Sequence, residues 1–85
     1  MIEDRFLKLL NHPIDMIAIF ETGGKIVPFK FKYEDRSVRV GKIVKQYREK
    51  LAGNERIVFV CMNNGKDLYE LKYELDSQKW FLFKK

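Results

Sequence analysis

The chain has 85 residues, 46% of them hydrophobic and 14% aromatic, with a net charge of +5. That length leaves no room for a second domain. Five glycines and two prolines are too few for a disordered chain. One cysteine, Cys61, excludes an internal disulfide, and no apolar stretch approaches the roughly 20 residues of a membrane span.

Residues 1–85 are therefore expected to form one domain, mostly β (α+β): a short helix over 2–10, then a curled antiparallel meander over 14–84. Ile2, Phe6, Leu9 and Leu10 fall near one helical face, and His12-Pro13 is expected to end the helix, because proline disfavours α geometry in the residue before it. Residues 14–21 are a nearly continuous apolar run, which suggests a strand buried on both faces. After the Gly23-Gly24 turn the alternation is regular. Val27, Phe29, Phe31 and Tyr33 share one side, and Lys30 and Lys32 the other.

Glu34-Asp35 reverses the chain into residues 37–40, and Gly41 suggests a bulge. Residues 42–52 fit a helix or a strand by spacing; a strand continuing through about Arg48, followed by a loop at Gly53-Asn54, is favoured. Asn64-Gly65 is a strong hairpin signal, and a two-residue loop there would set Val60 opposite Tyr69 and Val58 opposite Leu71. A turn at Asp76-Ser77 sets Glu74 against Lys79, Tyr73 against Trp80 and Leu71 against Leu82. Five to six strands result, of SH3-like or small-barrel type. Val58, Val60, Tyr69, Leu71, Tyr73, Trp80 and Leu82 are expected on the core face. Ile57, Phe59, Cys61, Leu68, Phe81 and Phe83 fall on a second face that needs a cover: the N-terminal helix, the curl of the sheet, or a second copy.

The charge is uneven. Residues 25–50 hold nine basic residues against three acidic, while the rest of the chain is close to neutral. A two-residue loop at Glu34-Asp35 opposes Lys30 to Arg39 beside Lys32, and like charges opposed across a ladder destabilise it. One explanation is a basic platform for nucleic-acid phosphates, carried by Lys30, Lys32, Arg39, Lys42 and Lys45. The other is a solvated lysine face that keeps a sheet soluble.

Catalytic chemistry finds little support. His12 is the only histidine, and one histidine and one cysteine far apart do not make a metal site. Gly23-Gly24-Lys25 lacks the spacing of a phosphate loop. Cys61, in an apolar run, is expected to be a buried, inert thiol. The expectation is a non-enzyme with no cofactor, no metal and no membrane association, resident in the cytoplasm because its thiol is free and Glu3 and Asp4 stand where a signal peptide would be basic. Its partners are nucleic-acid backbone or, alternatively, protein, met as an interaction module or homodimer through the apolar face of Phe59, Phe81 and Phe83.

Val38-x-Val40, Tyr47-Arg48-Glu49, Tyr69-Glu70-Leu71 and Trp80-Phe81-Leu82 together resemble a family of small bacterial β domains of unknown function, some of which accompany DNA-damage-tolerance polymerases. The resemblance covers about residues 27–83, with Tyr47 where the family carries tryptophan. It implies an uncharacterised β domain, favours the nucleic-acid assignment and supplies no catalytic residue. The order of one helix followed by strands also resembles Sm-like proteins, whose signature residues are absent.

Overall fold

The computed structural model describes residues 8–85. Seven strands follow one another: β1 (Leu9–Phe20), β2 (Ile26–Tyr33), β3 (Arg36–Arg39), β4 (Lys42–Leu51), β5 (Asn54–Asn63), β6 (Asp67–Glu74) and β7 (Lys79–Lys84). They form one antiparallel sheet in the order β3-β2-β1-β7-β6-β5-β4. Each strand pairs with its neighbour in sequence except β3 with β4, and β1 joins β7. The ring of pairings is thus open at one place, so the sheet is not the closed barrel expected from the sequence.

β1 explains how one sheet can curl around one core. Its first half pairs with β7 (His12↔Leu82, Ile14↔Trp80) and its second half with β2 (Asp15↔Lys32, Ile17↔Lys30). The expected helix over 2–10 is corrected where it can be described. Residues 2–7 lie outside the described residues, whereas Leu9 and Leu10 are strand. The amides and carbonyls of Lys8 and Lys85 bond reciprocally at 2.9 and 3.1 Å, so pairing with the last strand fixes this segment as extended. Pro13 sits inside β1, just before pairing begins on β2. No helix occurs among the described residues.

The core is built from Phe31, Ile57, Phe59, Cys61, Tyr69, Leu71, Tyr73, Trp80 and Leu82. Its aromatic part is continuous. Trp80 packs 4.8 Å from Tyr73 and stacks 5.6 Å from Phe59, centroid to centroid, contacts worth about 0.5–1.5 kcal/mol each beyond their buried area.

Two sequence registers hold and one slips. β6 and β7 pair as expected, Tyr73↔Trp80 and Leu71↔Leu82. β2 and β3 pair as expected too, Lys30↔Arg39, around Glu34 and Asp35, both at positive φ. At Asn64-Gly65 the turn does close from Asn63 O to Lys66 N (3.1 Å), but the ladder partner of Asn63 is Asp67, which leaves Lys66 as an extra residue. That single residue turns β5 over. Ile57, Phe59 and Cys61, not Val58 and Val60, face the core with Tyr69, Leu71 and Tyr73.

β1 is also not buried on both faces. Ile14, Met16 and Ala18 pack inward, while Ile17 and Ile19 are more than half exposed. Residues 42–51 are strand, as favoured, and β4 runs past Arg48 to Leu51. Gly41 separates β3 from β4, which brings the count to seven.

Candidate nucleic-acid interface

Alternation along β2 fails at one residue, and that failure shapes the surface. Pro28 has no amide to donate, and the β1–β2 register shifts beside it: Ala18 pairs with Pro28 and Ile17 with Lys30, leaving Phe29 unpaired in the ladder. Pro28 is buried, and Phe29, expected in the core, is 38% exposed. The Arg39 guanidinium lies over its ring at 5.0 Å.

Around Phe29 the outer face of β1–β2–β3 is arranged in rows. Ile17, Lys30 and Arg39 form one row, and Asp15, Lys32 and Ser37 the next. Asp15 is the only carboxylate in them. Among the described residues, no ion pair engages Lys30, Lys32, Arg39, Lys42 or Lys45. The structure therefore brings Lys30, Lys32 and Arg39 together on one face. Arg39 and Lys42 share a shallow groove that crosses Gly41 towards the turn at Asn64 and Gly65. Lys45 stands apart: it lies 5.2 Å over the Tyr47 ring and lines a separate cleft with Lys25.

Gly41 fixes the junction between Arg39 and Lys42. A Cβ at this position would overlap the Met62 carbonyl and the Asn63 side chain, so only glycine lets the chain pass so close to β5. Its N–H donates to Tyr69 Oη (3.1 Å), whose O–H donates to Asn63 Oδ1 (2.9 Å). Burial pushes the Tyr69 phenol up to about 12, so it stays a neutral donor.

The alternative protein-contact residues are placed differently from expectation. Phe59 is fully buried against Trp80 and cannot touch a partner, because the slipped register turns it inward. Phe83 is half-buried, with Lys72 Nζ 3.5 Å above its ring. Lys72 is itself buried and bridges Glu49 Oε2 at 2.9 Å, an oxygen that also meets Arg56 Nη2 at 2.9 Å. Glu70 lies 3.8 Å away, its carboxyl raised by burial against the opposing pull of Lys72. Flanked by this network, Val58 and Val60 are buried on the outward side of β5. The exposed large apolar residues among those described sit elsewhere, on β1 (Leu9, Ile17, Ile19, Phe20), β2 (Phe29) and β4 (Val44, Tyr47, Leu51).

His12 packs edge-on to Tyr33, with ring centroids 5.3 Å apart. Cys61 is buried, its thiol pushed up to about 12 by desolvation. Among the described residues no cluster of His, Cys, Asp or Glu could hold a metal ion. Sequence reasoning missed Phe29, Ile17 and Ile19 as surface residues; the signal that could have found Phe29 was Pro28 in mid-strand. No known protein family, no curated protein and no solved structure matches this chain.

Proposed function

We propose that this chain is a non-enzymatic accessory domain that binds nucleic-acid backbone without reading sequence, through the outer face of β2 and β3. The observation that carries this is the direct opposition of Lys30 and Arg39, flanked by Lys32, with no carboxylate in an ion pair to any of them among the described residues. Opposed cations cost the ladder stability, and a polyanion laid across them would relieve that cost. Phe29 adds a face on which an unpaired base can stack, worth about 1–3 kcal/mol per base in single-strand binders. This favours single-stranded over duplex ligands. Lys42 extends the track along the groove past Gly41, whereas Lys45, in its separate cleft with Lys25, lies off it.

The test is titration of fluorescently labelled single-stranded DNA and RNA oligonucleotides of two unrelated sequences, at low and then moderate salt. Affinity should fall steeply with salt, at about 0.7 in the log–log slope per neutralised phosphate, and should differ little between sequences. Absence of binding at low salt defeats the proposal.

A further inference from the structure

The one break in the ring of strand pairings is also a place where two strand edges face each other. β3 is only four residues long and covers only part of β2. The last bond on that side is Val40 N to Phe29 O (2.8 Å); among the described residues, residues 26–28 of β2 have no strand partner there. At Gly41 the chain leaves β2 and continues as β4, which among the described residues pairs only with β5. The two edges diverge from Gly41 and enclose a cleft of about 330 Å³, lined by residues 25–27 on one side and 43–46 on the other.

The backbone of β4 is presented to this opening in a definite phase. The β4–β5 loop has two residues, Ala52 and Gly53, both at positive φ, closed by the pair Leu51↔Asn54. In such a hairpin the closing pair exchanges both hydrogen bonds, and bonded and non-bonded pairs then alternate. Glu49 and Tyr47 thus bond to β5, whereas Lys50, Arg48 and Gln46 turn amide and carbonyl outwards. A ten-residue strand with an open edge is a template for strand addition.

Charge selects the occupant. β4 carries Lys42, Lys45, Arg48 and Lys50 against Glu49 alone. Arg48 is paired with Glu55 of β5 and the Glu49 carboxylate is held by Arg56 and Lys72, so among the described residues Lys42, Lys45 and Lys50 are the β4 cations outside ion pairs. Lys25 faces Lys45 across the cleft, and no acidic residue lines it among the described residues. A second copy pairing edge to edge would oppose cation to cation, so the edge is guarded against itself. It is not guarded against an acidic strand. Val44 and Tyr47, more than a third exposed, offer apolar contacts between the charges. We propose that this cleft accepts an extended acidic segment of a partner protein, added antiparallel or parallel as a strand on the open edge of β4.

The probe is a labelled peptide of alternating glutamate and valine, compared with a peptide of equal charge interrupted by proline and with an alternating lysine–valine peptide. The alternating acidic peptide should bind at least tenfold more tightly than either. Amide shifts should concentrate in residues 25–27 and 43–46. Gln46→Pro, which removes an outward amide at an exposed position, should weaken the peptide at least tenfold and leave oligonucleotide binding unchanged. Lys25→Glu, a change at an exposed side chain that spares the backbone, should weaken it as well, and circular dichroism checks that both variants fold. Equal binding of the proline-interrupted peptide would show attraction by charge alone and overturn the proposal. So would shifts confined to β2–β3, no binding at low salt, or a concentration-dependent dimer abolished by Gln46→Pro.

Discussion

The amide of Gly41 donates to the phenolic oxygen of Tyr69 at 3.1 Å, tying the kink between β3 and β4 to the inner face of β6. Because the Tyr69 O–H passes on to Asn63, one side chain holds both the kink and the approach to the β5–β6 turn.

Gly41→Ala should therefore cost about 1–3 kcal/mol through overpacking against the Met62 carbonyl and Asn63. Tyr69→Phe should cost about 1–3 kcal/mol by leaving the Gly41 donor and the Asn63 acceptor unpaired. Urea unfolding measures both. Additive losses in the double variant would show that the two residues act independently.

Neutralising Lys30, Lys32 and Arg39 to glutamine should flatten the salt dependence of oligonucleotide binding, reducing the log–log slope by about 0.7 for each phosphate no longer neutralised. Phe29→Ala should weaken binding by about 1–3 kcal/mol with the slope unchanged, since stacking displaces no counterions. Lys50→Gln, at the end of β4 remote from Gly41, is the control. Lys30→Gln and Arg39→Gln should also unfold at higher urea than the parent, because the like-charge opposition is gone, whereas Lys32 faces Asp15 and Ser37 and its neutralisation relieves none.

Two glutamates on β6 should titrate on opposite sides of the ordinary glutamate range. Ser77 Oγ (2.7 Å) and Asn54 Nδ2 (3.0 Å) donate to Glu74 and lower its carboxyl, so its stabilising share is present above the ordinary range and lost as pH falls through the folded value. Burial raises Glu70, so the folded state holds its proton longer and stability declines as pH rises from the ordinary value through the folded one. Carboxyl carbon shifts followed by NMR should place Glu74 below Glu70. Glu74→Gln should soften the acid limb of the stability profile; a steeper limb would contradict the assignment.

Cys61, buried with its thiol at about 12, should resist disulfide reagents at pH 8 and react only as fast as the chain opens. Rapid labelling of the native protein would place this thiol nearer solvent than the core of β5 allows.

Much of the architecture was legible in local signals. Tyr73 opposite Trp80 and Lys30 opposite Arg39 follow from turn position and side-chain parity, and both are found. Two of the departures come from one residue's worth of backbone each. Lys66 lengthens the β5–β6 loop and turns over a whole strand, so Phe59 passes from a surface candidate to the centre of the core. The bulge beside Pro28 expels Phe29 to where the lysines are. Periodicity cannot reveal such shifts, because the apolar residues on both faces of β5 satisfy either phase equally well. Leu9 and Leu10 suit a helix by spacing; only the distant β7 makes them extended.

The seam between β1 and β7 joins the opposite ends of the described chain, whereas β4 through β7 zip by successive hairpins. Local pairings can form early at little entropic cost, but the seam must wait for the longest loop of all to close. Substitutions along β1, such as Ile14→Val, should then accelerate unfolding and leave the refolding rate nearly untouched, while those in the β5–β6 hairpin slow refolding. The last strand pairing to assemble is thus the one on which the curl of the whole sheet depends.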